Sequence, residues 1–250
     1  MKLKRLLILL LLSVLITGCG ATPDTQQPTP VIMPSDTSAP TVSGVDSNPH
    51  ETGSPVTIKA EVWADNWFAF YSGEQLIQED SVSITTERSF NSETFTFEAV
   101  YPLTLNFVAK DFKENDTGLE YIGTNRQQMG DGGLIAQFTE ASTGQIIAVT
   151  NSNWMCMVIH EAPLDKACEN SSNPVPGVMP CGFTITEEPA NWKAEGFDSS
   201  AWSPATIYTA KQVGPKDGYD QISWNPSAQF IWGPDLETNN TILCRLTVTK

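Results

Sequence analysis

The sequence predicts an all-β fold, and three observations carry that prediction. Short apolar or β-branched runs bounded by Gly, Asn, Asp and Pro recur along residues 56–250, no window of a dozen residues carries a helical stripe, and no fixed-period repeat points to a propeller or solenoid. In chain order the predicted strands are VTIKAEVW, WFAFYSG, SVSITT, ETFTFEAV, LTLNFVAKDF, GLIAQFTE, IIAVTN, WMCMVI, GFTITEE, AQFIWG and TILCRLTVT. Many short strands of this kind suit a β-sandwich or jelly roll. In the second run Phe68 and Phe70 point to one face of an extended strand, and Trp67, Ala69 and Tyr71 to the other. One face can be core; the other needs a covering loop or meets solvent.

The chain before this region reads differently. Lys2, Lys4 and Arg5 form a basic stretch and Leu6 to Leu15 an apolar one, closed by Ile16-Thr17-Gly18-Cys19. That is the pattern of a signal peptide over residues 1–18, since the apolar run is too short for a bilayer core and ends in small residues. Its tail resembles the bacterial lipobox, which implies acylation of the Cys19 thiol. Several acyl chains, at about 0.8 kcal/mol per buried methylene, anchor a protein firmly. Residues 19–55 are rich in Pro, Thr and Ser and nearly free of large apolar side chains, the composition of a disordered tether. Residues 56–250 are then one domain, large enough for a substantial core.

The formal net charge of −15 argues against nucleic acid as a partner and against an anionic membrane surface, so contact with the membrane is expected through the lipid anchor only. Four cysteines lie in the domain: Cys156, Cys168, Cys181 and Cys244. In an exported chain they predict two disulfides, with three connectivities open; no C-x-x-C pair favours zinc.

The segment ADNWFAFYSGEQLI resembles the strand-turn-strand of galactose-binding-like jelly-roll modules, which are appended to rhamnosidases, β-galactosidases and other carbohydrate-active enzymes. YPLTLNFVAKD, GGLIAQFTEASTGQIIAVTNSNWMC, ANWKAEGFDSSAWSPAT, SAQFIWG and TILCRLTV follow in that family's order, the most distinctive being Phe197-Asp198-Ser199-Ser200-Ala201-Trp202. The resemblance implies a jelly-roll β-sandwich that binds carbohydrate without catalysis, with Trp154, Trp202 and Trp232 as packing anchors. Two insertions depart from the pattern, residues 113–133 and 160–181; the second holds Cys168 and Cys181, so a disulfide is expected to staple it. Long loops of this kind carry function more often than chance inserts do.

Little here suggests catalysis. There is no G-x-S-x-G elbow, His50 lies in the tether, and His160 lacks the second histidine of an H-E-x-x-H zinc site, so it reads as an ordinary loop histidine. Paired carboxylates for glycoside hydrolysis are not distinguishable among so many acids. Asp111, Glu114, Asn115 and Asp116, with Asp131, Asp217 and Asp220 further on, are oxygen donors of the kind calcium takes, Asp111 and Asp116 being the leading pair; the plainer reading is a solvated acidic loop, and no other cofactor is expected. Sugar recognition combines a ring with amide, carboxylate or guanidinium groups, and Tyr121, Arg126, Gln127, Gln128 and Asp131 in the first insertion supply them.

The expected function is therefore a lipid-anchored cell-envelope module that binds a glycan. The alternatives are a module that holds another envelope protein and a small carboxylate-dependent glycosidase. Gly20 after Cys19, where Asp would signal retention, directs the protein to the outer membrane if the cell has two. Replacing Cys19 by Ala should abolish lipid attachment and leave precursor or soluble protein; mature-sized mutant protein that still fractionates with membranes would overturn the lipobox reading.

Overall fold

The computed structural model describes residues 53–84 and 91–250. The expected signal peptide, Cys19 and residues 19–52 of the expected tether lie outside the described residues. Residues 53–55 are exposed and β1 (Val56–Asp65) follows at once.

Two antiparallel sheets form a sandwich. The strands are β2 (Trp67–Ser72), β3 (Gln75–Glu79), β4 (Ser92–Ala99), β5 (Leu103–Lys110), β6 (Leu119–Glu120), β7 (Gln128–Met129), β8 (Gly133–Glu140), β9 (Ile146–Val149), β10 (Met155–Glu161), β11 (Thr184–Ile185), β12 (Ser203–Pro204), β13 (Thr206–Tyr208), β14 (Phe230–Trp232) and β15 (Asn239–Val248). The first sheet runs β13-β14-β8-β1-β4, with β9 also on β8; the second runs β11-β10-β15-β5-β2-β3, with β12 also on β10. A small hairpin, β6-β7, stands apart. Among the described residues helix is confined to short turns such as α1 (Ala210–Val213), capped by Thr209.

Alternation decides which faces meet. Ile58, Ala60, Val62 and Ala64 of β1 face Phe68 and Phe70 of β2, Leu103, Leu105, Phe107 and Ala109 of β5, and Ile242 and Cys244 of β15 across one core. Phe70 is fully buried, its ring 5.7 and 5.3 Å from those of Phe95 and Phe97 on β4, 5.0 Å from Phe107 and 5.2 Å from Phe138 on β8. It therefore touches both sheets, at separations typical of favourable ring pairs. The opposite face of β2 is loop-covered: Ala69, Trp67 and Tyr71 pack with Trp192, Trp202 and Phe197. The Phe-Asp-Ser-Ser-Ala-Trp element thus belongs to a lid on the second sheet.

The expected anchors Trp154, Trp202 and Trp232 are buried, and so are other tryptophans. Trp63, Trp154, Trp192 and Trp232 are buried, and Trp63, Trp154 and Trp232 donate their indole N–H to the carbonyls of Asp217, Val149 and Asn239, which satisfies the one polar atom each buries. Both disulfides are present. Cys156–Cys244 joins directly paired residues of β10 and β15, and Cys168–Cys181 closes the second insertion.

Two expectations need correction. Ser81 to Ile84, the described part of SVSITT, forms a turn rather than a strand; Val82 N–H donates to Asp80 Oδ1 and Ser81 N–H to Glu93 Oε1, so side chains take the amides that a ladder would use. His160 is not a loop residue. It lies in β10, 7% exposed, where a bulge follows Val158.

Phe70→Ala should cost about 3–5 kcal/mol, because it removes the ring that spans the sheets and leaves a cavity. Thermal unfolding of the variant checks this. A variant that melts with the wild type would mean that the sheets do not depend on that contact.

Candidate functional site

Strand register brings a set of acids to one end of the sandwich. β1 ends on Asp65, opposite Gly133 at the start of β8. β2 begins beside it, Trp67 pairs with Lys110 at the end of β5, and Lys110 pairs with Thr241 near the start of β15. β10 ends at Glu161 opposite Asn239. The loops that leave these strands carry Asp80, Asp111, Glu120, Asp131, Asp235 and Glu237. Sequence reading singled out Asp111 and Asp131 among them and missed the rest; a single acid at a strand end leaves no periodic trace, and only the register gathers them.

The two insertions build this end together. Residues 113–133 contain the β6-β7 hairpin, and Leu119 packs with Ile122 and Met129 against the Cys168–Cys181 disulfide. Gln127 Nε2 donates to the carbonyls of Glu169 and Ser171 at 2.7 and 2.8 Å. Gly118 has φ +75, and a β-carbon there would lie 2.1 Å from the Ala162 carbonyl, so only glycine allows the loops this close. The disulfide-closed insertion therefore acts as a footing for the first one.

The five expected ligand residues separate into two groups. Arg126 lies over the Tyr121 ring at 3.7 Å, covering one face of it, and the Gln127 amide is spent between the insertions. Gln128 and Asp131 instead line a cleft of about 580 Å³ with Lys166, Tyr208, Gln212, Asp235 and Glu237. Lys166 Nζ sits 2.9 Å from Asp235 and 2.6 Å from Glu237, contacts that hold its ammonium above its usual range. Burial pushes the Asp131 carboxyl up, Lys216 at 3.9 Å offsets part of this, and Glu237 adds to it.

Asp111 and Asp116, the expected calcium pair, differ in their surroundings: Asp111 is buried and Asp116 is partly exposed. Asp116 Oδ1 takes Lys113 Nζ at 2.7 Å and His160 Nε2 at 3.1 Å, and Lys113 in particular holds its carboxyl below the usual range. Glu114 accepts from the Ile122 amide and Asn115 from the Thr117 amide, so both cap their own loop. Among the described residues no three His, Cys, Asp or Glu side chains converge as a metal centre. His160 Nδ1 is 2.9 Å from Asn240 Oδ1 and its ring stacks on Phe183; burial, then Lys113, lowers its proton affinity.

Asp65 and Asp111 are 0% and 2% exposed, and Asp111 lines a second pocket with Lys110, Lys113, Glu114 and His160. No hydrogen bond reaches any of their four carboxylate oxygens. Burial drives both well above the usual carboxylate range; Asp131 and Glu120 add to the shift of Asp65, which Lys216 opposes, and Asp65, Glu120 and Asp131 add to that of Asp111, which the nearby Phe112 amide opposes. Asp80, also at this end, is pushed up to about 7, chiefly by burial and then by Glu93, with the Val82 amide and Asn91 opposing.

Comparison with known protein families, with curated proteins and with solved structures finds no match to this chain.

Asp80 makes a pH prediction. Its native pKa near 7 lies above the ordinary 3.8, so across that window the folded state binds the extra proton and stability falls as pH rises from about 4 to 7. His160, with its pKa lowered, acts in the opposite sense below its ordinary 6.5. Denaturant melts of wild type and Asp80→Asn should therefore diverge: the variant should lose less stability, or gain more, between pH 5 and pH 7.5 (about those values). Identical pH profiles would contradict the assigned shift.

Proposed function

We propose that this chain is a lipid-anchored binding module of the bacterial cell envelope, with a galactose-binding-like jelly roll that recognises carbohydrate in the cleft at the acidic end and does no chemistry on it. The observation that carries the reading is the cleft itself. At about 580 Å³ it falls in the size range of small-molecule sites, and Gln128, Asp131, Lys166, Gln212, Asp235 and Glu237 present amide, carboxylate and ammonium groups around the Tyr208 ring. Such a set can donate to and accept from several hydroxyls at once, which suits a sugar better than an apolar ligand. The two-sheet architecture and the lid built from Trp192, Phe197 and Trp202 support the family resemblance. Within this reading the groups with the most perturbed proton affinities do not serve as acid and base: Asp65 and Asp111 are sealed below the surface, and His160 is held by Asn240 and Asp116.

One observation favours a protein partner instead. Leu164, Val178, Met179 and Ile185 expose 51%, 58%, 71% and 60% of their surface on and beside the second insertion, which is where an apolar contact with another envelope protein would form.

A glycan array probed with the full-length protein in detergent, followed by calorimetric titration of any hit, separates the readings. Asp131→Ala and Gln128→Ala should each weaken glycan binding by about tenfold or more, the loss expected for a hydrogen bond to a charged or well-placed group, with little change in Tm. Binding that ignores both substitutions would move the site out of the cleft. An array without hits, together with native cross-links centred on Met179, would favour the protein partner.

A further inference from the structure

We propose that the cleft takes a glycan with a free amino group, and that Asp131 receives its ammonium. The inference rests on the carbohydrate reading of the cleft and names the class of sugar. Three carboxylates line the cleft, those of Asp131, Asp235 and Glu237, against one ammonium, that of Lys166. Lys166 is taken up by its own neighbours, because its Nζ lies 2.9 Å from Asp235 Oδ2 and 2.6 Å from Glu237 Oε2. Asp235 Oδ1 accepts the amides of Glu237 and Thr238 at 2.9 and 3.2 Å, so both oxygens of that carboxylate are engaged within the chain. Asp131 differs. Lys216 Nζ faces its Oδ2 at 3.9 Å, too far for a hydrogen bond, and 43% of the Asp131 side chain is exposed. Of the three carboxylates, Asp131 is therefore the one with most capacity left for a ligand.

The surroundings decide which charge fits. Glu120, 6% exposed, is coupled to the cleft through Gln128, whose Nε2 donates to Glu120 Oε2 at 3.0 Å. The buried Asp111 carboxyl, which has no hydrogen-bond partner, presses on the cleft wall: a β-carbon on Gly130 would fall 1.9 Å from Asp111 Oδ2, and Gly130 lines the cleft. Asp131 is near enough to Asp65 and Asp111 to raise the proton affinity of both. A uronic acid would bring one more negative charge to this end and be repelled. An acetamido sugar is neutral and leaves the surplus as it was. A protonated amine offsets part of it and offers three donors to a carboxylate that has room for them, and hydrogen bonds between charged groups are roughly twice as strong as neutral ones.

The test uses the full-length protein in detergent and a glycan array that carries each amino sugar twice, with the amine free and with it N-acetylated, beside neutral and uronic acid glycans. The strongest matched pair is then titrated by calorimetry at a pH where the amine is protonated. The free-amine form should bind at least about tenfold more tightly than its N-acetylated twin, the margin that a hydrogen bond between charged groups gives, and the margin should shrink in high salt. Asp131→Asn should bring the ratio of the two affinities to about one, and Asp131→Glu should keep most of it. Far-ultraviolet circular dichroism shows that each variant is folded. If neutral, N-acetylated or acidic glycans are the strongest hits and their binding still falls in Asp131→Ala and Gln128→Ala, the amino-sugar inference is overturned and the carbohydrate reading stands. A free-amine preference that survives Asp131→Asn would overturn the inference too, by placing the amine elsewhere. An array on which no glycan binds would remove both.

Discussion

The sheets are held at their spacing by aromatic rings that reach across the gap. Phe70 from the second sheet meets Phe95, Phe97 and Phe138 of the first, and Phe107 and Trp154 extend the cluster. Interiors of this kind pack like organic solids and transmit displacement, so the distance between layers is not free to adjust. What happens at the ends of the strands follows from that spacing. The chain turns from β1 into β2 through Asp65 and Asn66, crossing from one layer to the other, and Asn66 Oδ1 accepts the Phe112 amide just past Asp111. A core that fixes the layers therefore also fixes how near two carboxylates, one from each layer, must lie.

The acidic end is where folding and function compete. A domain selected for stability alone has no reason to bury Asp65 and Asp111 without donors, and natural interiors rarely leave such groups orphaned. Other groups at that end are engaged: Asp116 with Lys113 and His160, Asp235 and Glu237 with Lys166, Gln127 with the second insertion. Asp80 Oδ2 and Asn240 Nδ2 share the lack of a partner with the two buried carboxylates. The Cys168–Cys181 disulfide has a part in this, since it closes a loop of the length for which chain entropy predicts about 3 kcal/mol and gives the β6-β7 hairpin a firm base.

Much of the fold was legible because burial on one strand face writes itself into every second residue. The alternation through β1, β2, β5, β8, β10 and β15 marked those strands, and phase put Phe68 and Phe70 on one face of β2 and Trp67, Ala69 and Tyr71 on the other without saying which face was core. The signal failed where periodicity breaks. His160 and Glu161 follow the apolar run Met155–Ile159, so they read as the start of a loop, but a bulge carries the strand through them and turns His160 inward. Ser81 to Ile84 has the β-branched content of a strand, yet neighbouring carboxylates capture its amides. The site was legible only in part. The first insertion announced itself by length and by polar content, which brought in Gln128 and Asp131, but Lys166, Tyr208, Asp235 and Glu237 reach the same cleft from distant segments. Asp65 was visible only as part of a family-like hairpin, because its significance lies in what fails to contact it.

The cleft side chains face solvent and the buried carboxylates Asp65 and Asp111 do not. On the proposed reading the ligand meets the acidic end, away from the aromatic lid on the second sheet. The most direct measurement is a crystal structure of the protein with a bound glycan. Density for a sugar against Gln128, Asp131 and Tyr208 is the result the account predicts. A sugar bound at another place on the domain, with the cleft empty, would contradict it.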